Sequence, residues 1–274
     1  MLRLPLVLFA LTACKTMEAP QTPADDGPGS HRAEVRTVVA PDGEGGSRAW
    51  EYRLLVPRQK KEGPLPLILF LHGAGERGTD NDLQLTHMPE LLLRDGGPPF
   101  DGYLLAPQCP EGQRWVETDW DRADPEPMAA EPSAPLAAAI AALERTLEEE
   151  PIDRQRIHLT GLSMGGYGTF DLGPRLAGLW ATLTPICGGG DPDSAGAFPR
   201  VPIWIWHGVD DPAVPFQRSV LMAEALEAAG HEVRFERLPE GTGHWAWGPA
   251  YAPEGPWWSW IAAHPREAPG HATR

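Results

Sequence analysis

Five short, largely apolar runs constrain this chain more than any other feature: Pro66–Leu71, which is continuous, and the similar Tyr103–Ala106, Ile157–Thr160, Trp180–Ile186 and Ile203–Trp206. Runs this short fit strands better than helices, and an unbroken apolar pattern fits a strand covered on both faces, as in a parallel sheet. Helical stretches lie between or after them. Pro135–Glu149 carries an Ala/Leu/Ile face, and Phe216–Ala229 places Val220, Met222, Ala225 and Leu226 before a stop at Gly230. His231–Leu238 reads as a last strand. Ala33–Val39 and Trp50–Val56, joined by a glycine-rich turn from Asp42 to Ser47, read as a hairpin. The alternation predicts an α/β fold: a mostly parallel central sheet, helices on both faces and an N-terminal hairpin. Such sheets bind ligands in the loops beyond their strands' C-terminal ends, so chemistry is expected directly after each run.

The run Ile157–Thr160 leads into Gly161-Leu162-Ser163-Met164-Gly165-Gly166. This is a G-x-S-x-G elbow, a sharp strand-to-helix turn that lifts a serine hydroxyl clear of the sheet. A serine hydroxyl attacks poorly unless a base takes its proton. Elbow-type sites use the chain order serine, acid, histidine. Five histidines follow Ser163: His207, His231, His244, His264 and His271. His207 ends a buried strand and reads as a packed residue. His231 begins a strand, and the last two lie near the tail. His244 sits in the glycine-rich loop Glu240-Gly241-Thr242-Gly243-His244-Trp245 after the last strand, where a mobile base belongs. The acid should follow Ile203–Trp206, where Asp210 and Asp211 compete, and strand geometry alone leaves the two open. Asp191 and Asp193 follow an earlier strand and are weaker candidates. The developing oxyanion needs two backbone N–H donors. Met164, after the nucleophile, supplies one. Ala74, in the loop Leu71-His72-Gly73-Ala74-Gly75, supplies the other.

Taken together, L-H-G-A-G-E-R-G-T-D-N (71–81), A-P-Q-C-P (106–110), G-L-S-M-G-G-Y-G-T (161–169), H-G-x-x-D-x-x-V-P (207–215) and the late G-x-x-H-W resemble the secreted esterase branch of the α/β-hydrolase superfamily. That branch includes feruloyl and acetyl-xylan esterases, polyhydroxybutyrate-depolymerase-like proteins, and the predicted-peptidase and phospholipase/carboxylesterase types. The resemblance runs from about Ala33 to His264 and implies an α/β-hydrolase fold. It aligns the acid with Asp211 and implies ester hydrolysis through an acyl-enzyme, with no metal and no organic cofactor. A proline-rich insertion, Asp124 to Pro135, departs from the family pattern near the expected substrate pocket.

The chain holds 11 Trp, an excess that suits a cleft receiving sugar rings or aromatic acyl groups. Trp115 and Trp245 are the candidates for substrate binding, with Trp120 and Trp247 nearby. Trp257, Trp258 and Trp260 fall on an expected terminal helix and read as packing. The expected substrate is a small-molecule or polysaccharide-linked ester. Net charge is 23 − 38 = −15 with no basic stripe, which argues against a nucleic-acid partner. Three cysteines without C-x-x-C spacing exclude a structural zinc site and a disulfide scaffold. Cys109 and Cys187 each end a strand, and the sequence leaves open whether they form a bridge or stay free thiols.

Met1 to Ala13 places one arginine, Arg3, before a short apolar run, the layout of an export signal. Its end, Leu11-Thr12-Ala13-Cys14, resembles the bacterial lipobox, which implies lipidation of Cys14 and anchoring to a bacterial membrane, facing the periplasm or the cell surface. Residues 14–31 read as a Pro/Gly-rich tether, 32–264 as one hydrolase domain and 265–274 as a disordered tail. A monomer is expected. Two other functions compete with an esterase. A serine peptidase of the same fold would use the same triad, although about 230 residues leave no room for a gating domain. A glycan-binding lipoprotein would have no use for a base oriented by a carboxylate.

Overall fold

The computed structural model describes residues 28–59 and 62–266. Its centre is an eight-stranded sheet: β1 (His31–Pro41), β2 (Ser47–Pro57), β3 (Leu65–Leu71), β4 (Tyr103–Pro107), β5 (Ile152–Leu162), β6 (Thr182–Ile186), β7 (Ile203–Gly208) and β8 (Val233–Leu238). The strand order is β1-β2-β4-β3-β5-β6-β7-β8. β1 pairs with β2 and β2 with β4 in antiparallel fashion, and every pair from β4 onward is parallel. The expected hairpin and parallel core are both present.

Alternating residues of each central strand serve different cores. In β3, Leu67, Leu69 and Leu71 face one layer, built from α2 (Ala134–Glu149), α3 (Met164–Arg175) and α4 (Gln217–Ala228). Ile68 and Phe70 face the other, built from α1 (Met88–Leu93), α5 (Trp247–Tyr251) and α6 (Pro256–Ala263). The Ser133 hydroxyl accepts from the Leu136 N–H to cap α2, and Pro135 suits its first turn. Gly230, at φ +81°, ends α4 as expected. Among the described residues, no helix is long and apolar enough to cross a membrane.

The ordered domain exceeds the expected bounds at both ends. The Gly29 N–H donates to the Leu93 carbonyl, and His31 is fully buried in β1 with its Nε2 2.8 Å from the Gly102 carbonyl, so the tether does not reach residue 31. At the other end, the Arg266 N–H donates to the Gln155 carbonyl at 2.6 Å, placing Arg266 on the domain and not in a tail. Backbone pairing is invisible to composition, so neither contact shows in the sequence. Cys14 and the expected export signal lie outside the described residues.

Candidate active site

The elbow forms because two glycines permit close backbone approach. A Cβ on Gly165 would lie 1.9 Å from the Leu71 carbonyl oxygen, and one on Gly161 would lie 2.3 Å from that of Gly165. Between them Ser163 adopts φ 53°, ψ −116°, a conformation that non-glycine residues rarely take and that tends to mark functional sites. Its N–H donates to the Ile186 carbonyl at 2.9 Å, tying the turn to the end of β6.

His244 arrives from the loop after β8. Its Nε2 is 2.8 Å from Ser163 Oγ and its Nδ1 is 2.6 Å from Asp211 Oδ2. A carboxylate accepts only, so Nδ1–H is the donor and Nε2 is left to accept from the serine hydroxyl. The structure therefore joins three residues from three strand ends into one hydrogen-bonded chain. It also separates the two aspartates. Asp211 has a fully buried side chain whose Oδ1 accepts the Ala213 and Val214 N–H groups at 2.8 and 3.0 Å. Burial alone would raise its pKa. Hydrogen bonds from His207, His244 and those two amides override this and hold the carboxyl well below the usual range. Asp210 points outward, and its two oxygens accept the Gly241 and Gly243 N–H groups at 2.6 and 2.9 Å. It pins the loop that carries His244, a role the sequence did not suggest.

The loop after β3 crosses beside the nucleophile. A Cβ on Gly73 would meet Leu162 at 2.7 Å and reach 3.6 Å from Ser163 Cβ. Ala74 opens a short 3₁₀ turn and Met164 opens α3, so each N–H sits at the start of a helical turn, where no intrahelical acceptor exists. His72 fixes this loop. Its Nε2 accepts from the Cys109 N–H at 2.9 Å, so Nδ1 carries the hydrogen and donates to the Gly73 carbonyl at 2.6 Å. Burial lowers its pKa to about 4 and keeps the ring neutral.

Trp115 does not line a substrate cleft. It is fully buried, its Nε1–H donates to the His72 carbonyl at 2.9 Å, and its ring packs edge-on against His72 at 5.1 Å. Its position after a strand end was the misleading signal, because the ring turns inward to the core beside His72 and α3. Ser133, at the end of the proline-rich insertion, donates to the Trp115 carbonyl, and Arg175 holds Ala129 and Ala130. The insertion borders a shallow depression lined in part by Tyr167, Gly189 and Arg218, but not by Ser163, Asp211 or His244. Trp245 is the candidate that remains at the surface, 60% exposed beside His244. Trp247, named in the sequence only as a neighbour, packs edge-on against the His244 ring at 5.3 Å.

Cys109 and Cys187 are buried free thiols. Cys187 lies beneath the chain of three, its Sγ within 4.8 Å of ligand atoms of Asp211 and His244. Burial, reinforced by the Asp211 charge, pushes this thiol well up despite an opposing contribution from the Ser163 amide, so it stays protonated. Asp211 and His244 already engage each other there.

No family model and no curated protein matches the chain. Solved structures do. A thermostable esterase superposes with a TM-score of 0.70 at 34% identity, covering 85% of this chain and 63% of that one. The chain has the α/β-hydrolase fold. More distant structures of this fold include the esterase Est22, with TM-score 0.56, 15% identity, and 85% and 79% of the two chains covered. An acylaminoacyl peptidase from Pyrococcus horikoshii reaches TM-score 0.54 at 16% identity, with 85% and 40% covered. The chain thus spans less than two thirds of the length of the thermostable esterase, and its own activity is argued from its site.

Proposed function

We propose that the chain is a serine hydrolase of carboxylic esters, working through an acyl-enzyme. The observation that carries this is the chain Ser163–His244–Asp211, with contacts of 2.8 and 2.6 Å at a strained elbow. His244 takes the Ser163 proton as Oγ attacks the ester carbonyl. It then returns that proton to the leaving alcohol, and a water repeats the sequence to release the acid. Asp211, held ionised, keeps the imidazole in the correct tautomer and stabilises its charged form. The N–H groups of Met164 and Ala74 receive the negative oxygen of the tetrahedral intermediate. The 34%-identical esterase favours an ester over a peptide bond. Exposed Trp245 beside the base suits an aromatic acyl or sugar-linked ester, the substrate class we favour. Ser163→Ala should remove nearly all hydrolysis of p-nitrophenyl esters and all labelling by a fluorophosphonate probe, since the triad acts as a unit. Labelling that survives the substitution would defeat the assignment. Peptide anilides assayed alongside separate esterase from peptidase.

A further inference from the structure

One buried group touches the catalytic carboxylate without having a place in the proton transfer. His207, the penultimate residue of β7, is fully buried, and its Nε2 lies 3.2 Å from Asp211 Oδ2, the same oxygen that faces His244. The Val214 carbonyl lies 3.1 Å from that nitrogen. Both neighbours accept and neither donates, so Nε2 carries its hydrogen whatever the state of Nδ1. Nδ1 is 2.8 Å from Ser219 Oγ, which in turn donates to the Gly188 carbonyl at 2.9 Å, and Phe216 meets the imidazole ring edge-on at 5.5 Å. The ring is thus held from three sides, with its Nε2–H placed between the Val214 carbonyl and the acid.

We infer that His207 is a positioning residue for Asp211: it fixes the carboxylate and shares Oδ2 with His244. This rests on Ser163, His244 and Asp211 being the triad. Two consequences follow from the geometry. With His244 donating to Oδ2, His207 Nε2 3.2 Å from the same oxygen and two amide donors on Oδ1, the carboxylate cannot rotate away from His244 without losing hydrogen bonds. The His207 N–H also draws negative charge from the oxygen that stabilises a protonated His244. The base is thereby left free to accept the Ser163 proton at lower pH than with Asp211 undivided. The other groups facing this centre do not replace it. Cys187, after β6, is a protonated thiol, and Ser219 on α4 is neutral. Tyr167 on α3 directs its hydroxyl to the Trp120 carbonyl, Arg218 on α4 lies against the Tyr167 ring, and Asp210 binds the Gly241 and Gly243 amides.

The test compares the full chain with His207→Phe, His207→Gln and Ser219→Ala, using p-nitrophenyl acetate. His207→Phe should lower kcat by about ten- to a hundredfold, the range for one hydrogen bond to a charged group, and leave KM within about twofold. The acidic limb of kcat/KM should move to higher pH, because His244 then has Oδ2 to itself. His207→Gln retains an N–H near Oδ2 and should restore most of both. Ser219→Ala should shift the limb in the same direction by less. The proton resonance of His244 Nδ1–H should move further downfield in His207→Phe, a signature that loss of packing alone would not give. If His207→Phe does not fold, the limb and the resonance in Ser219→Ala decide instead. A limb and a resonance at their wild-type positions in the folded variants overturn the inference. Ser163→Ala keeps the two readings apart. Turnover that survives it defeats the triad itself, whereas its loss beside wild-type behaviour of the His207 series defeats only the positioning role.

Discussion

Asp210 and Asp211 are neighbours with the same chemistry, and their surroundings alone give them different tasks. One is buried, with three donors bonded to it and His207 Nε2 3.2 Å away; the other is exposed and ties two glycine amides of the histidine loop. Asp211→Asn should cost on the order of 10⁴ in kcat, because the amide no longer enforces the imidazole tautomer. Asp210→Asn keeps an acceptor for one amide and should cost far less. Measuring kcat for both at matched circular dichroism tests this, and a crippled Asp210→Asn beside an active Asp211→Asn would reverse the roles. Trp245→Ala should raise KM for aromatic acyl esters by about two- to tenfold, as expected for one ring contact, and leave acetyl esters nearly unchanged. Equal effects on both would remove Trp245 from the acyl site. At this scale Ser163 and His244 were legible because glycine spacing and chain order carry them. The choice between the aspartates needed the resemblance. The tasks of Asp210, His207 and Trp115 depend on side-chain direction, which no spacing encodes.

Strands set the acid sensitivity of the fold. His72 ends up directly after β3, His158 lies within β5 and His31 begins β1, and all three are buried. Burial lowers each pKa from 6.5, to about 4 for His72 and about 3 for His158, with His31 lowered as well. The unfolded chain therefore takes up protons near pH 6.5 that the folded chain refuses. Stability from this source is complete above that pH and falls as pH drops toward 4, by up to about 1.4 kcal/mol per pH unit for each histidine. Urea midpoints at pH 7.5, 6 and 5 measure this, and an unchanged midpoint at pH 5 would contradict it. Elements with strong local pattern were legible: the hairpin, β3, α2 and α4 fall within a few residues of expectation. The polar start of β5, Asp153–Arg156, has no apolar signal and was missed. Six-residue α1 and five-residue α5 are too short to show a helical period, so packing alone reveals them.

For the whole molecule, the open question is where it resides. We propose that Cys14 is lipidated and that the domain stands off a membrane, on the strength of Leu11-Thr12-Ala13-Cys14. Cys14→Ser should prevent lipid attachment, and intact-mass spectrometry of the natively produced protein reads this directly. A mature chain that begins elsewhere than at a modified Cys14 would refute it. Hydrolysis of p-nitrophenyl esters should not change, because the triad and both oxyanion donors lie within residues 74–244. The two-sided sheet has a consequence of another kind. Six of the 11 tryptophans, Trp204, Trp206, Trp247, Trp257, Trp258 and Trp260, lie in the layer with α5 and α6. Trp50, Trp115, Trp120 and Trp180 lie in the opposite layer, and Trp245 faces solvent. Intrinsic fluorescence is thus an unevenly weighted witness. A red shift on heating reports first on the C-terminal layer, and reading it as the melting of the entire sheet would mistake one face for both.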